Sequence, residues 1–115
     1  MNSIVRIHGE RHGDTPVVRV EGEVDASNAD AVAAKLHTLM TNRSTALVVD
    51  LTGTTYLDSA GINLLFAFAE ELRARQQTLR LVLAGATPIA RMAGITGLDR
   101  ACPTHATLDE ALAAG

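Results

Sequence analysis

The pattern of apolar and polar positions along the chain predicts short strands that alternate with amphipathic helices. Short apolar runs bounded by turn-forming residues are typical of strands. Such runs occupy residues 4–7, 17–20, 46–51 and 79–84, with a shorter one near 101–102. The cluster Arg11-His12-Gly13-Asp14 separates the first two runs and predicts the turn of a β-hairpin.

Between the later runs, apolar residues recur at the spacing of a helix. The first helical segment starts within Ser27-Asn28-Ala29-Asp30, where Ser27 and Asp30 have the spacing of a capping box, and it stops near Asn42. The second segment begins near Ser59, and its apolar stripe predicts a buried face. That stripe consists of Ile62, Leu65, Phe66, Ala69 and Leu72.

Two further helices are predicted in the last third of the chain. Thr87-Pro88 is typical of a helix start, with proline at the first helical position, and Gly94 or Gly97 ends this helix. Thr107 and Glu110 form a second capping box, which predicts a final helix.

The order of elements is therefore β-β-α-β-α-β-α-(β)-α. Alternation of strands and helices after a hairpin favours right-handed crossovers and parallel pairing. We expect an α/β fold with a mixed sheet of four to five strands covered by about four helices. A chain of 115 residues fits one domain, 1–115, with one core.

Composition and charge exclude several classes of function. The net charge is −3 and no basic block is present, so we expect no direct contact with nucleic acid. The longest mostly apolar stretch, 62–69, is too short to cross a bilayer, and the first ten residues lack the apolar core of a signal peptide. We therefore expect a cytoplasmic protein without membrane insertion. Cys102 is the only cysteine, which indicates a small buried side chain rather than a disulfide.

The most informative segment is 48–61, where a strand leads to a serine at the start of a helix. An apolar run ends in Asp50-Leu51, a turn follows at Thr52-Gly53, and Asp58-Ser59-Ala60-Gly61 opens the helical pattern. The first turn of a helix has free backbone N–H groups and favours negative charge. We therefore expect Ser59 to be exposed and suited to receive a phosphate.

Residues around Ser59 also have structural interpretations that stay open at this point. Either Ser59 or Asp58 could cap the helix, since both types are preferred at N-caps. Gly61 could allow close packing of the helix on the sheet. Alternatively, it could leave a partner free to approach the serine, in which case an arginine there weakens binding more than folding. Asp25 could simply end its strand.

Enzymatic chemistry is not expected from these residues. The chain has no GxxxxGK[ST] phosphate loop, and Leu57 stands where a GxSxG elbow would have its first glycine. The four histidines are scattered over different elements, so we predict no metal site. They are His8, His12, His37 and His105.

Two motifs give the chain a family resemblance. It resembles bacterial anti-sigma factor antagonists, which are built on the STAS domain and carry an Asp-Ser-Ser-Gly or Asp-Ser-Ala-Gly box after a strand that ends in Asp-Leu. Asp58-Ser59-Ala60-Gly61 matches the first motif, and Gly22-Glu23-Val24-Asp25 matches a second family motif. The resemblance implies that Ser59 is the phosphorylation site. It also implies that the partner is contacted by Asp25, Asp58, Ser59, Ala60, Gly61 and Asn63. Asn63 departs from the family, in which a small residue, often glycine, is common.

The resemblance also implies a regulatory cycle. The unphosphorylated form would bind an anti-sigma factor that is also a serine kinase, which would free a sigma factor. The kinase would then phosphorylate Ser59, and a separate phosphatase would remove the phosphate. ATP and magnesium would belong to the kinase, so this chain would have no cofactor of its own. The alternatives are a STAS subunit of another assembly, such as a lipid-transport complex or a sensory scaffold, and a small enzyme that uses Ser59 or Asp58.

Overall fold

Strands and helices alternate along the chain as the sequence pattern predicts. The computed structural model describes residues 4–41 and 43–114, so the predicted helix stop at Asn42 lies outside the described residues. The elements are β1 (Val5–His12), β2 (Thr15–Val24), α1 (Ala29–Leu39), β3 (Ala46–Asp50), β4 (Thr54–Leu57), α2 (Ser59–Ala74), β5 (Thr78–Val82), α3 (Pro88–Thr96), α4 (Leu98–Ala101), β6 (Thr104–His105) and α5 (Leu108–Ala113).

The predicted N-terminal hairpin is confirmed, with longer strands than expected. β1 and β2 pair antiparallel from Val5 opposite Gly22 to His12 opposite Thr15. Gly13 lies in the turn with a φ angle of +64°, a conformation that glycine adopts at little steric cost. The strands continue through polar residues because exposed side chains on one face of a sheet do not interrupt the backbone ladder.

The sheet is mixed, as predicted, and every pairing after the hairpin is parallel. The strand order is β1-β2-β3-β5-β6. β3 and β4 share one edge of β2, because β3 pairs with residues 17–19 and β4 pairs with residues 22–24. Residues 51–53 interrupt the path between them, and β4 then carries the chain directly into α2.

Three short elements differ from the sequence prediction. β4 was not predicted, since its four residues follow a glycine and only the two end residues are buried. The last strand is Thr104–His105 instead of 101–102, because residues 98–101 form the short helix α4. The described part of the chain thus holds six strands and five helices, rather than four to five strands and about four helices.

The helices cover the sheet on both faces, unequally. A large apolar cluster joins one face of the sheet to residues of α1, α2, α3 and α4. A smaller cluster joins Val17, Val48 and Val82 on the other face to Ala111 of α5. The predicted burial of Cys102 is confirmed, since this residue belongs to the larger cluster. Burial raises the pKa of its thiol to about 11. The thiol therefore stays protonated at neutral pH.

The predicted helix starts are confirmed at α1, α3 and α5, whereas the predicted capping residues are confirmed only at α3 and α5. Thr87 Oγ1 accepts from the Ala90 N–H at 3.2 Å, and Thr107 Oγ1 accepts from the Glu110 N–H at 3.1 Å. α1 has Asn28 at its N-cap position, so the capping box proposed for Ser27 and Asp30 is wrong. None of the helices in the described ranges combines the length and apolar character that a membrane crossing needs.

Candidate functional site

Asp58 is the residue that caps α2, and it also holds a neighbouring loop. Its Oδ1 accepts from the Gly61 N–H at 3.1 Å, which is the capping interaction. Its Oδ2 accepts from the Ala26 N–H at 3.2 Å, in the loop between β2 and α1. The interpretation of Asp58 as a cap is thus confirmed, and both of its carboxylate oxygens have partners inside the protein.

Ser59 is the first residue of α2 and its side chain faces solvent. The alternative in which Ser59 caps the helix is wrong, because Asp58 occupies that position. Among the described residues, the Ser59 hydroxyl has no hydrogen-bond partner. The predicted exposure of this serine is therefore confirmed, and its hydroxyl does not have to break a protein contact in order to react.

The second sequence motif lies next to the first in space. Asp25 Oδ1 accepts from the Ser27 N–H at 2.9 Å and from the Ser27 hydroxyl at 2.6 Å, so this carboxylate organises the loop between β2 and α1. The next residue in that loop, Ala26, donates to Asp58. The two motifs thus form one site, in which half-buried Asp25 shapes the loop beside the serine.

Gly61 is buried under the first turn of α2 and faces the sheet. A Cβ placed there would lie 2.9 Å from Leu57 Cδ2 and 3.2 Å from both Val24 Cγ1 and the Val24 carbonyl oxygen. The packing interpretation is therefore the correct one. The prediction that Gly61 offers an open approach to the serine is wrong, because this residue is buried.

An open groove beside Ser59 was not predicted. It runs between α2 and α3, has a volume of about 600 Å³, and is lined by Tyr56, Phe66, Met92 and Thr96 together with the first turn of α2. Phe66 was predicted in the buried stripe of α2, but it is half-buried in this groove and Phe68 takes the buried position. Tyr56, 48% exposed, is the side chain that the sequence could have indicated, since it is the only tyrosine and stands two residues before Asp58.

Ala60 and Asn63 lie on the side of α2 that faces α1. They line a second groove, of about 390 Å³, which separates α2 from Ala29 and Ala33 of α1. Asn63 is exposed and also lines the groove beside Ser59. Across the described ranges, no three His, Cys, Asp or Glu side chains come close enough to hold a metal ion together.

The fold and this site define the class of protein. The chain belongs to the STAS domain family, since the family model described as "Mlab, STAS domain" matches residues 7–112. The expected fold and family are both confirmed by this match and by the solved structure described below.

Several relatives of this chain are described as anti-sigma factor antagonists. The chain is 35% identical over 100 residues to an anti-sigma-B factor antagonist of Listeria monocytogenes, covering 86% of this chain and 85% of that protein. It is 29% identical over 102 residues to the anti-sigma-F factor antagonist RsfB of Mycobacterium tuberculosis, covering 88% and 81%. The crystal structure of an anti-sigma factor antagonist from Mycobacterium paratuberculosis superposes with a TM-score of 0.86 at 32% identity, covering 96% and 93% of the two chains.

The dual role of Asp58 leads to a stability prediction. We expect Asp58→Ala to lower the free energy of unfolding by about 1–2 kcal/mol, because it removes the N-cap and one bond to the neighbouring loop. Asp58→Asn is the matched control and should cost less, since asparagine is also a preferred cap. Urea unfolding of both variants measures this, and equal losses would contradict the capping role.

Proposed function

We propose that this chain is an anti-sigma factor antagonist that is switched by phosphorylation of Ser59. The unphosphorylated form binds an anti-sigma factor that is also a serine kinase, and this binding releases a sigma factor. Phosphorylation ends the interaction, and a phosphatase restores it. The observation that carries the proposal is the exposed Ser59 hydroxyl at the start of α2, left free by the capping role of Asp58.

The phosphoryl transfer needs only an accessible hydroxyl from this chain. Ser59 Oγ attacks the γ-phosphorus of ATP held by the kinase. The new O–P bond forms as the bond to ADP breaks, and the hydroxyl proton passes to a base of the kinase. Asp58 is not needed as that base, since both of its oxygens accept bonds from backbone N–H groups. ATP and magnesium belong to the partner.

The groove beside Ser59 supports a docking role for this surface. Exposed aromatic and methionine side chains are enriched at protein interfaces, and this groove carries Tyr56, Phe66 and Met92. A kinase that docks on this groove has Ser59 at the edge of its contact surface. The loop held by Asp25 borders the same serine and extends the surface towards α1.

The relatives support the identity of the partner. Proteins described as anti-sigma factor antagonists match this chain over most of their own length. A pull-down with this protein from native cell extract tests the partner. If it recovers a transporter or a sensory scaffold instead of an anti-sigma factor, the result favours the alternative in which the same surface serves another assembly.

Phosphopeptide mapping tests the proposal directly. Incubation with the cognate kinase and ATP should add one phosphate, and this phosphate should map to Ser59. Ser59→Ala should abolish the labelling. Ser27→Ala is the matched control, because Ser27 is exposed nearby while its hydroxyl donates to Asp25, and this variant should still be labelled. A phosphate on another serine or threonine, with Ser59 unmodified, would refute the proposal.

A further inference from the structure

Asn63 stands one helical turn after Ser59 on α2. Both side chains are exposed and both line the groove between α2 and α3. In the described part of the chain, the Asn63 side-chain amide has no hydrogen-bond partner. An unpaired donor therefore lies beside the hydroxyl that the proposed function modifies.

The direction of helical side chains brings the two groups together. Side chains on a helix tilt towards its N-terminus, so Asn63 leans over the turn that contains Ser59. Residues four apart have Cβ atoms about 5–6 Å from each other. A phosphate on Ser59 extends the side chain and places its oxygens within reach of the Asn63 amide.

Two groups close to Ser59, Asp58 and the Gly61 N–H, would not hold a phosphate. Asp58 is adjacent and negatively charged, so it repels the dianion. The Gly61 N–H is already occupied by Asp58 Oδ1. Asn63 thus supplies a neutral side-chain donor that can offset the repulsion from Asp58.

We propose that Asn63 Nδ2 donates a hydrogen bond to phosphoserine 59 and holds the phosphate against α2. Asn63 is then a positioning residue for the phosphorylated state. The inference rests on the proposed phosphorylation of Ser59 and concerns how this chain keeps the modified side chain in place. A small residue at position 63 could not do this, so the feature depends on the asparagine of this chain.

A phosphorus NMR titration tests the hydrogen bond. The protein is prepared with phosphoserine incorporated at position 59, which makes the measurement independent of any kinase. A donor that favours the dianion lowers the second pKa of the phosphate, which is ordinarily about 6. We expect Asn63→Ala to raise this pKa by about 0.3 and Asn63→Asp to raise it by roughly 0.5 or more.

Ala67→Asp is the matched control for charge. It adds the same carboxylate at an exposed position of α2, one turn further from the phosphate, and should raise the pKa less than Asn63→Asp. In proton–nitrogen spectra, the Asn63 side-chain amide signals should move downfield on phosphorylation and follow the titration of the phosphate.

Two results would overturn the inference. One is an unchanged phosphate pKa in Asn63→Ala, and the other is an Asn63 amide signal that does not respond to the phosphate. Failure of the proposed function gives a different result, namely phosphopeptide mapping that finds Ser59 unmodified by the kinase. That mapping result would leave the titration of the prepared phosphoprotein intact.

Discussion

Phosphorylation of Ser59 is expected to weaken binding of the anti-sigma partner by roughly a hundredfold or more. The phosphate adds nearly two negative charges beside Asp58 at a surface that loses water when the complex forms. Asp58 cannot turn away, because its carboxylate is held by the Gly61 and Ala26 N–H groups. The complex would therefore bury a dianion that a neutral donor such as the Asn63 amide offsets only in part, which is costly.

Variants of Ser59 should follow the same electrostatic order. Ser59→Asp carries one charge on a shorter side chain, so it should bind less tightly than the wild type and more tightly than the phosphorylated form. Ser59→Ala should bind like the wild type and resist inactivation. Because Asp58 is the cap, we expect Ser59→Ala to change the free energy of unfolding by no more than about 0.5 kcal/mol.

Calorimetric titration of the four purified forms with the anti-sigma factor measures this order. Thermal melting of each form is the control, since a loss of binding without a loss of stability separates the electrostatic effect from unfolding. Equal affinities for all four forms would refute the switch, even if Ser59 were found to be phosphorylated.

The sequence predicts the exposed serine at the start of α2 correctly because the signals around it are local. A buried apolar run, a Thr-Gly turn and an acid beside a serine follow one another within 48–61. Each signal has a direct physical cause, and together they set Ser59 at a helix start. The hairpin and the starts of α3 and α5 were predictable for the same reason.

The sequence does not predict features that depend on the backbone conformation of a single residue or on a contact between distant segments. Asp58 and Ser59 are both good caps, and the local sequence does not tell which of them has the extended backbone of an N-cap. β4 exists because residues 54–57 find a partner in β2, far away in the sequence. The groove with Tyr56 and Met92 likewise depends on how α3 packs beside α2, which periodicity does not specify.

Gly61 is the clearest case of a role that only the packing reveals. The sequence is compatible with two roles for Gly61, and the exposed role predicts that an arginine there mainly affects binding. In the structure, any side chain at this position meets Leu57 and the backbone of Val24. Leu57 can shift at its flexible end, but the Val24 carbonyl belongs to a strand paired with β4.

Gly61→Arg is therefore expected to destabilise the fold by about 3 kcal/mol. Overpacking a tight site costs about 1–3 kcal/mol, and burying part of a charged side chain adds to this. The better helix propensity of arginine returns about 1 kcal/mol. For a domain of this size, the net loss corresponds to a fall in melting temperature of roughly 10 °C.

Ala67→Arg is the matched control for this prediction. It introduces the same side chain on the exposed side of the same helix and should change the free energy of unfolding by about 0.5 kcal/mol at most. Thermal and urea unfolding of both variants, with partner affinity measured below the melting transition, separate folding from binding. A Gly61→Arg protein that melts like the wild type but no longer binds its partner would contradict the packing role and restore Gly61 to the contact surface.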